Sequence, residues 1–234
     1  MKINKISHFA LLLLIVASYS SCKKKCPVVD PINTNEPISL SLKPDAAKGK
    51  DTEIATNAFH ADTLVHGTTP YMAAEVWTSG SFSQTQRGLI DFDLSAIPSG
   101  AKISKATLVL YADTTEIIHG GGTKANNGHN TTSGSNAWVV KRITSNWDES
   151  TVTWISQPTT DNTSIINMPA STSRSETYSV DVTQFITDQL ASPSKYYGFM
   201  YNLLNESAYR SVVFCTSDHQ YSSLHPELNI TYTK

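Results

Sequence analysis

Alternation of apolar and polar residues with a period of two dominates this sequence and limits the folds open to it. In "LIDFDL", Ile90, Phe92 and Leu94 share one face, while Asp91 and Asp93 share the other. Because successive side chains of a β-strand point to opposite faces, such a run predicts a strand with one buried face. The same alternation recurs in "ATLVLYA", "YSVDVT" and "ELNITYT". Turn-forming residues separate these runs, which is typical of an antiparallel sandwich or barrel.

One segment has helical spacing instead. In "DVTQFITDQLASP", Phe185, Ile186 and Leu190 lie on one face of a helix. Thr183 is the candidate N-cap, and Pro193 follows the end of the segment. The sequence therefore predicts an all-β fold with one short helix.

The N-terminus has the pattern of an export signal. Lys2 and Lys5 precede nine consecutive apolar residues, a run too short to cross a bilayer, which needs roughly 20 residues. Small residues then lead to Cys22, which resembles the lipid-bearing cysteine of a bacterial lipobox. We expect residues 1–21 to be a lipoprotein signal peptide, with cleavage by the ordinary secretory peptidase as the alternative.

The remaining chain divides into a tether and one domain. Residues 22–37 contain three prolines and no periodic apolar pattern, which predicts a flexible tether. Residues 38–234 are long enough for one sandwich domain, lipid-anchored at the periplasmic face or the cell surface. Within the domain, residues 114–136 are rich in Gly, Asn, Ser and Thr and predict a long loop.

Charge and cysteine content exclude some classes of partner. From Ile38 onward, 13 Lys and Arg stand against 18 Asp and Glu, a formal net charge of −5 without a basic run. This balance argues against a nucleic acid partner. Cys26 lies in the tether and Cys215 in an apolar run, so we expect a buried free thiol at Cys215. A disulfide between the two is the alternative outside the cytoplasm.

Cofactor signals are weak. The seven histidines show no close metal-ligand spacing, and the chain has no Gly-x-Ser-x-Gly motif or phosphate loop. No cofactor is required by these patterns. By analogy with other sugar-binding sandwiches, calcium is a better candidate than zinc, and Asp45 and Asp51 offer the carboxylate oxygens that calcium prefers. The alternative is that both are solvated turn residues without a metal.

A family resemblance extends over residues 42–233. It is carried by "RGLIDFDLSAIPSGAKISKATLVLYAD", "WVVKRITSNWDESTVTWISQP", "SVDVTQFITDQL" and "YRSVVFCTSDHQYSSLHPELNITY", in that order. These segments resemble the DNRLRE-domain family, also described as carbohydrate-binding module family 96. "EVWTSG" and "NMPAST" look like the versions in Bacteroidetes-type surface lipoproteins. The resemblance implies a jelly-roll-like β-sandwich and a carbohydrate ligand, since some family members bind alginate.

Residues 146–154, "NWDESTVTW", contain two of the four tryptophans around two adjacent carboxylates. A catalytic acid pair, a sugar-stacking surface and a structural turn are the alternatives. The resemblance places this stretch at the start of a strand, where Asp148 and Glu149 face opposite ways and Trp154 points into the sandwich. Asn146 and Glu149 have the spacing of a cap. Glycosidases need opposed carboxylates roughly 5 to 9.5 Å apart, so we expect a structural role and no catalytic residue.

Sugar binding needs flat aromatic faces and polar neighbours, and an acidic polysaccharide also needs cationic side chains. The net charge of −5 makes alginate a less favoured ligand here. The ligand-binding candidates are Tyr71, Trp77, Arg87, Lys43, Lys48 and Lys50.

The leading interpretation is a non-catalytic polysaccharide-binding module on a membrane-anchored lipoprotein of the cell envelope. The alternative is a structural or adhesion protein that binds an envelope protein partner. A polysaccharide-cleaving enzyme is a third and weaker alternative.

Overall fold

The computed structural model describes residues 36–56, 61–79, 81–115 and 128–234. Within these ranges the chain forms eleven β-strands and one α-helix. The elements are β1 Ile38–Leu42, β2 Lys50–Thr56, β3 Tyr71–Ser79, β4 Phe82–Asp91, β5 Lys102–Leu110, β6 Trp138–Ile143, β7 Thr160–Met168, β8 Tyr178–Asp181, α1 Thr183–Ala191, β9 Phe199–Leu203, β10 Arg210–Cys215 and β11 Glu227–Thr233.

The strands form two antiparallel sheets. The four-stranded sheet has the order β1-β11-β5-β8. The larger sheet has the order β10-β3-β4-β9-β6-β7, and β2 also pairs with β4. The predicted all-β antiparallel sandwich with one short helix is confirmed. The first strand pairs with the last, with Leu40 opposite Ile230. The four-stranded sheet is therefore completed by a contact between residues far apart in sequence.

The main core contains residues of both sheets, and the alternation in the sequence identified many of them. Every second residue of the predicted strands is buried: Ile90, Phe92, Leu108, Leu110, Tyr178, Val180, Val182, Leu228, Ile230 and Tyr232. An aromatic cluster lies among them and consists of Trp138, Tyr178, Tyr201 and Phe214.

A second hydrophobic cluster lies on the opposite face of the larger sheet. Leu89 belongs to it while the adjacent Ile90 belongs to the main core, so the two side chains point to opposite faces of β4. The segment between β6 and β7 covers this face through Trp147 and Val152, and half-buried Trp154 packs against them. The prediction that Trp154 points into the sandwich from a strand is therefore wrong, because β7 begins only at residue 160.

The predicted helix is confirmed, and Phe185 and Ile186 are its buried residues. Thr183 is its first residue, and Val182 stands at the cap position. The Asp181 carboxylate accepts hydrogen bonds from the Thr183 backbone N–H at 3.0 Å and from its hydroxyl at 2.6 Å. Among the described residues, no helix has the length and apolar character needed to cross a bilayer.

Several predictions made for the termini and the long loop fall outside the described ranges. These concern the signal peptide at 1–21, the tether up to residue 35 and the thiols of Cys22 and Cys26. The described parts of the predicted loop, 114–115 and 128–136, have no regular secondary structure. Cys215 is fully buried, as expected.

Candidate functional site

Three of the predicted ligand residues lie together where β1 ends and β2 begins. Lys43 follows β1, Lys48 lies in the turn before β2, and Lys50 is the first residue of β2. They border two adjoining hollows of about 440 Å³ each, which share Lys48, Phe92 and Asp93. We call the two hollows together the lysine cleft, and its walls are segments 41–50, 91–96 and 147–149.

A tight turn holds Lys48 at the centre of the cleft. The Asp45 carbonyl accepts hydrogen bonds from the N–H groups of Lys48 at 2.9 Å and Gly49 at 2.7 Å. The Asp45 carboxylate accepts a further one from the N–H of Ala47 at 3.2 Å. A Cβ atom on Gly49 would lie 1.8 Å from the Ser217 hydroxyl oxygen, so this position requires glycine. Backbone contacts therefore fix where the lysines stand.

The lysines differ in how far their ammonium groups are already engaged. Lys50 Nζ lies 3.1 Å from an Asp91 carboxylate oxygen, and Lys43 Nζ lies 3.7 Å from a Glu227 carboxylate oxygen. Within the ranges that the structure describes, Lys48 has no carboxylate within 4.0 Å. Its ammonium group is therefore the one best placed to meet a ligand.

Carboxylates outnumber lysines in the half of the cleft that reaches residues 147–149. Lys48 and Lys50 are the cations there. The acidic residues lining the same hollow are Asp91, Asp93, Asp148 and Glu149. The lining thus combines strong hydrogen-bond donors with strong acceptors and carries no excess of positive charge.

Asp148 is occupied by its own turn. Its carboxylate accepts hydrogen bonds from the Ser150 N–H at 2.8 Å and the Ser150 hydroxyl at 2.6 Å. These bonds lower the pKa of Asp148. The residue that caps the turn is therefore Asp148, and the predicted capping role of Asn146 is wrong.

Glu149 ties the same turn to β2. Its Oε1 accepts a hydrogen bond from the backbone N–H of Asp51 at 2.7 Å. Burial raises the pKa of Glu149 to about 7, and the charges of Asp51 and Asp218 act in the same direction. Since Asp148 is exposed and bonded to Ser150 while Glu149 is held against β2, each carboxylate has a structural role of its own.

Glu149 also belongs to an acidic trio with Asp51 and Asp218, whose carboxylate oxygens lie within 4.8 Å of one another. Asp51 is buried, and Ser217 donates to it through its N–H and its hydroxyl. Burial raises the pKa of Asp51 to about 6. Three carboxylates suit a hard cation such as calcium. Asp51 belongs to this trio, whereas Asp45 holds its own turn and lies outside it. The calcium ion itself stays a prediction.

A second group of potential ligands, Asp113, Cys215 and His219, is fully buried. The His219 Nδ1 accepts a hydrogen bond from the N–H of Tyr221 at 3.2 Å. The proton of the neutral ring is then on Nε2, which lies 2.9 Å from the Thr115 hydroxyl. With both ring nitrogens engaged, His219 has a structural role in this arrangement.

Arg87 lies away from the lysine cleft. Its guanidinium group is 4.6 Å above the ring of Trp154 and forms two bonds to the Glu206 carboxylate, at 2.9 and 3.1 Å. A third bond, of 3.0 Å, goes to Gln157. Arg87 therefore fastens Trp154 to the outer face of the larger sheet.

The two predicted aromatic ligand residues are also separate from the lysine cleft. Trp77 meets Tyr209 edge to face, with ring centroids 5.3 Å apart. Tyr71 begins β3 opposite Cys215 of β10. The six predicted ligand residues thus fall into different places, and only the three lysines are brought together.

The acidic residues of the cleft were the main omission from the predicted site. Asp91 and Asp93 appeared in the sequence only as the outward face of a strand, and Asp218 carried no signal. The outward alternation of Asp91 and Asp93 beside a turn was the one pattern that could have found them.

Residues 53–232 match the family model of carbohydrate-binding module family 96. The chain belongs to this family. The match runs from β2 into β11 and so includes most strands of both sheets. No curated protein matches the chain. Membership of family 96 supports a carbohydrate ligand.

The family 96 match does not cover the whole lysine cleft. It begins at Glu53, so Lys43, Lys48, Lys50 and Asp51 precede the matched range. The opposite wall, formed by 91–96 and 147–149, lies within it. The cleft therefore joins residues within the matched range to residues that precede it.

Proposed function

We propose that this family 96 module binds an uncharged polysaccharide in the lysine cleft, performs no catalysis, and belongs to a lipid-anchored protein of the cell envelope. The carbohydrate class rests on the family. The place and the kind of sugar rest on one observation, which is the mixed lining of the cleft. Sugar hydroxyls both donate and accept hydrogen bonds, so ammonium and carboxylate groups side by side suit them.

The charge of the cleft disfavours the acidic polysaccharides that some relatives bind. A polyanion approaching Lys48 also meets Asp91, Asp93, Asp148 and Glu149. The domain as a whole carries −5, so long-range attraction does not assist a polyanion either.

The arrangement of the carboxylates supports a non-catalytic role. Glycoside cleavage uses two carboxyl groups that face each other across the bond. Asp148 is bonded to Ser150, and Glu149 is bonded to the backbone of Asp51. Both are thereby committed to holding segment 147–149 in place.

Binding is testable by affinity gel electrophoresis of the full chain with xylan, xyloglucan, galactomannan and alginate. We expect retardation by at least one uncharged polysaccharide, with little dependence on salt. Lys48→Ala should weaken that binding about tenfold, because it removes a charged hydrogen-bond donor. Lys141→Ala on β6 is the matched control and should bind as the wild type does. Retardation by alginate alone, or equal affinity of both variants, would contradict the proposed site.

Catalysis is checked on the same polysaccharides by measuring new reducing or unsaturated ends. We expect none from the wild type. If ends appear and Glu149→Gln abolishes them at unchanged melting temperature, the module is an enzyme. If no polysaccharide binds and an envelope protein co-purifies with the full chain, the adhesion alternative is correct.

Membrane anchoring is tested through Cys22. The charged start, the short apolar run and the small residues before this cysteine motivate the expectation of lipidation. Buried acyl chains contribute about 0.8 kcal/mol per CH₂ to membrane binding. Cys22→Ser should therefore move the protein from the detergent phase to the soluble fraction, whereas Cys26→Ser should not. Retention of Cys22→Ser in the detergent phase would refute the anchor.

A further inference from the structure

A third hollow continues from the lysine cleft onto the exposed face of the four-stranded sheet. It measures about 490 Å³ and lies over the middle of β1, β11 and β5. Ser41 lines both this hollow and the adjoining half of the lysine cleft. All three hollows are open grooves rather than enclosed cavities. The third hollow and the lysine cleft therefore adjoin at Ser41.

The floor of this third hollow is a ladder of short polar side chains, with one cation, Lys105, opposite Thr231. Ser41 is opposite Asn229 of β11, and Asn229 is opposite Thr107 of β5. One step along, Ser39 is opposite Thr231. Alternation turns these residues outward, because Leu40 packs on the main core and Ile230 lies within it. Neighbouring strands lie about 4.8 Å apart, so the hydroxyl and amide groups of opposite residues stand side by side.

Several side-chain contacts hold the junction between the lysine cleft and the sheet in place. Glu227 accepts a hydrogen bond from the Ser41 hydroxyl at 2.9 Å and another from the Tyr111 hydroxyl at 3.3 Å. Lys43 pairs with the same carboxylate and lies 4.8 Å above the Tyr111 ring. The Lys43 ammonium group also donates to the Ser223 carbonyl at 2.8 Å. These contacts hold Lys43 aside, over Tyr111.

We propose that the lysine cleft and the polar ladder form one groove that binds the interior of a linear, uncharged polysaccharide across several sugar units. The open grooves leave room for the chain to continue in both directions, so a chain end is not required. Over the sheet the ladder supplies hydroxyl and amide groups beside the Lys105 ammonium group, and the cleft supplies lysines and carboxylates. This inference rests on the proposed function and adds the length of chain that is recognised.

Isothermal titration of the full chain tests the groove with β-1,4-linked gluco-, xylo- and manno-oligosaccharides of two to eight units. We expect affinity to rise with chain length until the ligand spans both parts, and then to level off. Thr107→Ala combined with Asn229→Ala should weaken the longest ligand about tenfold and leave the shortest binding ligand unchanged. Lys48→Ala should weaken both.

Controls separate a lost subsite from a lost fold. Thr233→Ala lies on β11 beyond the hollow and should bind all lengths as the wild type does. Thr107→Ser, with Asn229 unchanged, keeps the hydroxyl and should bind long chains as the wild type does. If all lengths bind with equal affinity and Lys48→Ala weakens the shortest ligand, the proposal of an extended groove is wrong. The proposed function would then still stand. Insensitivity of every ligand to Lys48→Ala would instead refute the lysine cleft. Dimerisation abolished by the double variant would assign the ladder to a second copy of the chain.

Discussion

Replacing Trp138 with alanine is expected to lower the free energy of unfolding by about 3 to 5 kcal/mol. The side chain is fully buried, and its ring contacts Tyr178, Tyr201 and Phe214 at centroid distances of 5.2, 5.7 and 5.3 Å. Its removal leaves a large cavity among aromatic rings from both sheets. The sheets hold these rings in place, so the cavity cannot close. Urea denaturation of the variant and the wild type at one pH measures the difference.

Trp154→Ala is the matched comparison because it removes the same atoms from the second cluster. Trp154 is half-buried, and Arg87 covers one face of its ring. We expect a smaller loss of about 1 to 2 kcal/mol, since the site is partly solvated and its neighbours can close over it. Equal losses for the two variants would show that the outer cluster contributes as much as the main core.

Raising the pH from 6.5 to 8.5 in EDTA is expected to destabilise the domain. Burial, with the charge of Glu75 as the second cause, raises the pKa of Glu53 to about 8. The pKa of Glu149 is raised to about 7. A carboxyl with a higher pKa in the folded chain than in the unfolded chain holds its proton better when folded, so stability falls until the pH passes the folded value. For Glu53 the loss is roughly 2 kcal/mol over this window.

Melting temperatures at pH 6.5, 7.5 and 8.5 check this slope. Glu53→Gln should remove the larger part of the slope, because the amide is neutral throughout, and the part due to Glu149 should remain. Asp161→Asn should leave it unchanged, since hydrogen bonds from Thr163 lower the pKa of Asp161 to about 2, far below the window. Burial lowers the pKa values of His66 and His129, so their effect falls below about pH 6.5. A stability that rises with pH over this window would contradict the buried state of Glu53.

Calcium provides a second arm of the same experiment. If the acidic trio binds the ion, calcium at pH 8.5 should raise the melting temperature, because binding to the folded chain alone adds stability. Asp218→Asn should remove that gain without changing the slope from Glu53. An unchanged melting temperature in millimolar calcium would contradict the prediction of a structural calcium ion.

Local patterns in the sequence were sufficient for the helix and for four of the eleven described strands, which are β4, β5, β8 and β11. Leu108, Val180 and Ile230 were placed in the core because alternation with period two needs only neighbouring residues. Phe185 and Ile186 were placed on a helix for the same kind of reason. The three lysines were found together because they lie within eight residues around one turn.

Long-range contacts explain what the sequence could not predict. Trp154 is half-buried because it packs against an apolar cluster on the outer face of the larger sheet, which includes Leu89 and Met200. Glu149 acts on β2 through a hydrogen bond that joins residues 98 positions apart. Neither contact follows from a repeat or a spacing, since each depends on how separate segments pack.

The position of β1 has a consequence for producing this domain in the laboratory. A fragment cut to the matched range, 53–232, would lose β1 and with it one of the two strands that pair with β11. It would also lose Asp51, to which the backbone of Ser217 is bonded. In such a fragment one edge of β11 would be unpaired, and the apolar side chains that β1 covers would be exposed. This combination promotes aggregation. The shortest well-behaved expression product should therefore start before Ile38.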